Sequence, residues 1–257
     1  MKKLPRETLN QRIDRLVSGF KAHKPEGVGP FPTIIMLHGC GRADMPQAAY
    51  VEACLQSDIA CIVVDSYAPR QISMVESMGT VCTGVQLWGR ERAGDLVAAL
   101  AWAKSLDWVD AGHISALGWS HGGWTIMDAL ALEKSLSQYT QISDLCDKPL
   151  ESLKSVFLIY PWCGPGSHSA MRGWNRNLPA HMIVGGRDLV SGEFLPKRAA
   201  KKLKDNGVNI DVSLFERATH GFDEPDALHP AQKYDPELTS RATQMVVDFV
   251  RTNVAMA

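Results

Sequence analysis

Short, solid apolar runs recur along this chain at intervals that leave room for a helix between them. They fall at residues 33–37, 59–64, 114–117, 155–160, 180–184 and 208–215. A strand wet on one face alternates apolar and polar residues. Most of these runs are apolar throughout, which is the pattern of strands covered on both faces in a parallel sheet. The stretches between them read as helices: 46–56, 90–104, the residues after Gly122, 194–205 and 238–253. In the second, Ala93, Leu96, Val97, Leu100 and Ala101 mark one apolar face, and Asn206-Gly207 closes the fourth as a C-cap. The alternation predicts an α/β fold, a central and mostly parallel sheet with helices on both faces. With 257 residues, no internal repeat and no linker, the chain reads as one domain, 1–257. Residues 1–25 form a polar N-terminal extension with one edge strand around 16–21, and 135–151 and 163–177 are long enough to serve as partial lid loops.

Composition excludes several classes of function. Hydrophobic residues make up 45%, charged residues 21%, and the formal net charge is −1. A binder of nucleic acid or of an anionic membrane needs a basic surplus that is missing here. No apolar run approaches the ~20 residues of a membrane span. Met1-Lys2-Lys3-Leu4 has the charge of a leader's start, but Pro5-Arg6-Glu7 stands where the apolar core of a leader belongs. The expectation is a cytoplasmic protein, or a periplasmic or secreted one if a leader has been removed. The six cysteines, Cys40, Cys54, Cys61, Cys82, Cys146 and Cys163, contain no C-x-x-C and so no zinc or thioredoxin-like motif. Free buried thiols are the default in a chain of this size. Cys40, Cys82 and Cys163 nonetheless fall in loops that can converge on one face, and any two with Cα atoms within ~7 Å can pair.

Ligands of such a sheet bind beyond the carboxyl ends of its strands, and the reactive residue types stand there. Gly118-Trp119-Ser120-His121-Gly122 follows one strand and precedes a helical stretch, the context that makes G-x-S-x-G a nucleophile elbow. Side chains at the two glycine positions would collide with the neighbouring strand and helix. The helix N-terminus behind the serine favours developing negative charge. Val184-Gly185-Gly186-Arg187-Asp188 puts an acid after another strand, and Thr219-His220-Gly221-Phe222 puts a histidine after the last. A serine hydroxyl needs a base to take its proton, His220 suits that task near neutral pH, and Asp188 would fix its tautomer. His121 is adjacent to the serine and helix-bound, and His229 lies in a proline-containing loop, so both are poorer bases. Two amides must face the developing oxyanion. The backbone of His121 supplies one, and that of Cys40, in His38-Gly39-Cys40-Gly41, supplies the other.

With these residues together, the chain resembles the dienelactone hydrolase family of α/β-hydrolases over roughly residues 30–250. The resemblance runs through Leu37-His38-Gly39, Gly118–Gly122, Gly185–Asp188 and Thr219–Phe222, and is especially close at Asp65-Ser66-Tyr67-Ala68-Pro69-Arg70. It departs from the family's best-known members in three ways. Those use a cysteine nucleophile where Ser120 stands, and a glutamate that handles the thiol proton where Gly39 stands; a serine activated by histidine needs no such glutamate. They also grip a substrate carboxylate with two arginines. Arg70 matches the first, but Glu224 occupies the place of the second, so dienelactone is not the expected substrate. Tyr67, Arg70, Trp119 and Trp162 are candidate substrate-binding residues, with Trp124 close to them in sequence. The expected activity is cleavage of a small carboxylic ester or lactone through an acyl-serine, by a monomer or homodimer, with no metal or organic cofactor. The alternatives are hydrolysis or transfer of a thioester or amide acyl group by the same residues, or a catalytically silent binding protein.

Overall fold

The computed structural model describes residues 4–41, 47–226 and 231–255. Helix α1 (Leu9–Leu16) leads into strand β1 (Phe20–His23), followed by β2 (Phe31–Leu37), α2 (Gln47–Leu55) and β3 (Ala60–Val64). A short α3 (Met74–Glu76) runs into a π-helical turn, Ser77–Val81, before α4 (Gly89–Ala103) and β4 (Val109–Trp119). Then come α5 (His121–Leu132), α6 (Leu136–Thr140), β5 (Leu153–Ile159), α7 (Ser169–Arg172), β6 (Ala180–Gly185), α8 (Phe194–Asp205), β7 (Ile210–Phe215) and α9 (Pro236–Ala255). The strands form one sheet in the order β1-β3-β2-β4-β5-β6-β7. Every pairing is parallel except that of the edge strand β1 with β3.

The solid apolar runs are explained by what covers them. Successive side chains of a strand point to opposite faces. Ile35, Leu37, Ala116, Val156 and Met182 join one core layer, with residues of α4, α5 and α8. Ile34, Met36, Leu117, Phe157 and Ile183 join a second layer, with Tyr50 and Cys54 of α2 and Leu238, Ala242 and Val246 of α9. Each fully buried aliphatic side chain contributes about 1.5–3 kcal/mol, so both faces of every inner strand favour the sheet. All carboxyl ends of the parallel strands open on one edge, which is where the site is built.

The N-terminal extension is more ordered than its polarity suggests. Residues 9–16 form α1, started by a capping box in which Thr8 and Gln11 satisfy each other's backbone amides. The edge strand therefore begins at Phe20 rather than around Leu16, which is the buried last residue of α1. Neither expected lid stretch hangs free. Arg12 Nη2 donates to Thr140 O at 2.6 Å, Leu9 N to Asp144 Oδ1 at 2.7 Å, and Glu7 bridges Ile142, which pins 135–151 to the N-terminal segment. Residues 163–177 fold back onto α5, where Asp128 Oδ1 accepts the amide of His168 at 2.7 Å and Ala131 O accepts Asn175 Nδ2 at 2.9 Å. Cys40 and Cys82 form a disulfide with Cα atoms 5.7 Å apart, which corrects the free-thiol default for that pair. Cys163 is not part of it; its thiol is buried against Met127.

Candidate active site

Ser120, Asp188 and His220 follow β4, β6 and β7, and the sheet brings them into one hydrogen-bonded line. His220 Nε2 lies 2.9 Å from Ser120 Oγ, and His220 Nδ1 lies 2.8 Å from Asp188 Oδ2. Asp188 Oδ1 accepts the amides of Val190 and Ser191 at 2.7 and 2.8 Å, which fixes the carboxyl group with Oδ2 toward the histidine. With Nδ1–H donated to that oxygen, the Nε2 lone pair faces the serine hydroxyl. All three side chains are buried, with the ring of Tyr160 packed 4.7 Å from that of His220.

The turn that carries Ser120 is strained and crowded. Ser120 has φ 48° and ψ −109°, a conformation that non-glycine residues rarely adopt and that persists only when its surroundings hold it. They do: Ser120 N donates to Ile159 O at 3.0 Å, and Ser120 O accepts the amides of Trp124 and Trp162 at 3.0 and 3.1 Å. Gly122 must lack a side chain, because a Cβ there would fall 1.9 Å from Leu37 O. Gly39 passes close on the other side, where a Cβ would lie 3.3 Å from Ser120 Cβ. The loop 38–41 thus runs directly beside the nucleophile candidate.

That loop is held from several directions. Gly39 O accepts from His38 Nδ1 at 2.7 Å and from Tyr67 Oη at 3.1 Å. Cys40 O accepts Ser77 Oγ at 2.7 Å, and its sulfur is tied to Cys82. Burial, followed by the charge of Arg92, pushes His38 well below the usual histidine range and His121 down to about 3. Both rings stay neutral and hydrogen-bonded within the protein, so among the described histidines His220 alone touches Ser120. His229 lies outside the described residues.

The candidate substrate-binding residues divide. Trp162 is half-buried beside Ser120, through its own amide. Tyr67 is instead buried behind the loop it braces. Arg70 points away from the site: its Nη1 and Nη2 grip Asp95 at 2.9 and 2.7 Å, because that buried carboxylate needs a cation. Trp119 lies beneath the elbow, fully buried, with Nε1 donating to Asp223 Oδ2 at 2.9 Å. Trp124 is buried too, donating to Asp128.

Three buried residues, Asp223, Arg92 and Asp95, escaped the sequence reading. Asp223 accepts from Tyr50, Trp119 and Tyr160 at 2.7, 2.9 and 2.5 Å, linking the histidine loop to α2, the elbow strand and the end of β5. Arg92 and Asp95 lie within α4, and their charges amid an apolar helix were the available signal. Glu224 stands near the loop, its Oε2 4.0 Å from where a side chain on Gly41 would begin. A cavity of about 630 Å³ opens elsewhere, along Glu133, Lys134, Cys146, Lys148 and Arg176, and includes none of Ser120, Asp188 or His220. Among the described residues, no three His, Cys, Asp or Glu side chains are grouped to hold a metal ion.

A mostly parallel sheet with a strained serine at the elbow after β4, an acid after β6 and a histidine after β7 defines an α/β-hydrolase. The chain belongs to the dienelactone hydrolase family, whose sequence model matches residues 76–254. No curated protein sequence matches it. Among solved structures it is similar to a dienelactone hydrolase of Anabaena variabilis, at 19% identity over 91% of this chain and 90% of that one, with a TM-score of 0.61. It is also similar to Est1E of Butyrivibrio proteoclasticus, at 15% identity over 92% and 94%, with a TM-score of 0.60. Esterase 2 of Thermogutta terrifontis, in a form phosphonylated by cyclosarin, matches at 15% identity over 91% and 88%, with a TM-score of 0.66. At such identities the likeness speaks for the fold, while the family match makes the chain a hydrolase.

Proposed function

We propose that this chain is a serine hydrolase that cleaves a small carboxylic ester or lactone through an acyl-serine intermediate. The observation that carries the reading is the line Asp188–His220–Ser120, with hydrogen bonds of 2.8 and 2.9 Å. Ser120 Oγ attacks the carbonyl carbon as its proton passes to His220 Nε2, and Asp188 stabilises the imidazolium without taking the proton. The amides of His121 and Cys40 receive the oxyanion. The intermediate collapses, His220 protonates the leaving alkoxide, and water then releases the acid by the same route in reverse order. The Cys40–Cys82 bond favours an oxidising compartment as the place of work, the periplasm or cell exterior rather than the cytoplasm.

An organophosphorus probe tests the mechanism. Fluorophosphonate treatment should add one adduct, located by peptide mass on Ser120, and Ser120→Ala should lower turnover of an aryl ester about 10³-fold or more. An adduct elsewhere, or a Ser120→Ala protein that keeps its activity, overturns the reading.

A further inference from the structure

We infer that Arg92 is a positioning residue for the oxyanion site, a single buried guanidinium that fixes from behind both backbone segments whose amides receive the negative charge. The inference rests on the serine mechanism proposed above. Arg92 lies in the first turn of α4 and is completely buried. Its Nε donates to Ser66 Oγ at 2.8 Å, its Nη1 donates to His38 O at 2.8 Å, and the same Nη1 reaches His121 Nδ1 at 3.2 Å. Guanidinium only donates, so His121 Nδ1 must be an unprotonated acceptor. Nη2 has no partner, and the ring of Tyr67 lies 5.5 Å from the guanidinium carbon.

The charges of Asp95 and Asp65 favour the cation without bonding to it. The hydroxyl, carbonyl and imidazole it does meet are neutral, poor compensation for burying a charge. Packing alone would be better served by an apolar side chain. The placement of the contacts supplies the reason. His38 O belongs to the peptide that enters Gly39 and Cys40, and Gly39 passes beside Ser120. His121 is the residue directly after the nucleophile, and its side chain is held by the same nitrogen. One cation therefore sets the spacing of the two amides and adds a fixed positive charge behind them. Such an arrangement acts on the charged transition state much more than on a neutral ester, so its loss should appear in kcat rather than KM.

The test uses Arg92→Met and Arg92→Lys, each first shown to unfold cooperatively. Both are assayed for kcat and KM on an aryl ester and for inhibition by a phenylboronic acid, which binds a catalytic serine as a tetrahedral anion. Arg92→Met should lose about 10²–10³-fold in kcat and by a similar factor in boronate affinity, with KM within about three-fold, the scale of a lost oxyanion donor. Arg92→Lys keeps the charge and should recover about ten-fold of that loss. Fluorophosphonate labelling of the parent protein is the control: no adduct on Ser120 there means that the serine mechanism has failed, and this role of Arg92 falls with it. Given that adduct, a folded Met variant with parental kcat, or a loss confined to KM, overturns the assignment of Arg92 alone. Failure of both variants to fold overturns it too, because Arg92 would then serve the fold only.

Discussion

Glu224 stands where its charge would oppose the proposed chemistry. Its carboxyl lies beside Gly41, next to Cys40, and near Gly221, next to His220. Burial, helped by the neighbouring Asp223, pushes it up to about 8. Below that pH the group is a neutral acid; above it, a carboxylate stands beside Gly41 and Gly221, in the loops that carry Cys40 and His220. The sign follows directly: kcat/KM for a neutral ester should fall as pH rises through about 8, and Glu224→Gln should remove the fall while leaving the neutral-pH rate within about three-fold. A profile that still descends in the Gln variant assigns the limb to another group. At this scale the sequence discloses residue types but not their partners. Ser120, Asp188 and His220 were legible because each follows a strand in the expected order. Arg70 reads the same whether it meets a substrate or Asp95, which is distant in sequence and brought close only by α4. Tyr67 and Trp119 stand in the sequence next to site loops, but nothing in their spacing tells which side of the loop a ring occupies, and both rings are buried against the protein.

Among the elements, the segment 71–87 changes most between sequence and structure. It reads as a loop, yet it contains α3 and a π-helical turn, with Ser77 bonded to Cys40 O and Cys82 bonded to the Cys40 sulfur. The strands were legible because burial on both faces leaves a solid apolar run, whereas a helix whose buried residues include Arg12 leaves none. For α1 the usable signal was Thr8-x-x-Gln11, a capping box in a segment otherwise polar. The disulfide left the weakest trace, since three cysteines in converging loops allow more than one pairing. Its consequences are measurable. Alkylation of the unfolded, unreduced protein should modify four thiols, Cys54, Cys61, Cys146 and Cys163, and reduction first should raise the count to six. Six adducts without reduction would show the bond absent. The bridge spans 42 residues. A loop of that order contributes about 3–4 kcal/mol by constraining the unfolded chain, so Cys40→Ser with Cys82→Ser should lower Tm by about 6–16 °C. The ester kcat should fall as well, because the oxyanion loop loses its covalent tie.

Across the whole molecule, one buried carboxylate joins parts of the chain that no sheet pairing connects. Asp95, on α4, is fully buried and receives Arg70 Nη1 and Nη2 at 2.9 and 2.7 Å from the loop after β3, and Arg12 Nη1 at 3.3 Å from α1. Arg12 in turn bonds Glu7 and the carbonyl of Thr140 at the end of α6. Burial alone would raise the Asp95 carboxyl, but the charges of Arg70 and Arg12, with hydrogen bonds from Arg70 and Ser66, hold it below the usual carboxylate range. Glu7 is likewise held down by Arg15 and Arg12 against the opposing effect of burial. A carboxyl group whose folded pKa is depressed adds stability at neutral pH, and that stability is lost as pH falls through the folded value. The window therefore lies below about pH 4, where ordinary carboxyl groups titrate. Asp95→Asn removes the anion and leaves two buried guanidinium groups without it, which should cost about 3–5 kcal/mol at pH 7. In urea unfolding at pH 7 and again near pH 2.5, the gap between parent and variant should narrow at the lower pH, because the parent then loses the same charge by protonation. A gap of equal size at both pH values would mean that Asp95 contributes through packing and neutral hydrogen bonds, and the electrostatic account of how α1, α4 and the β3 loop are held together would be wrong.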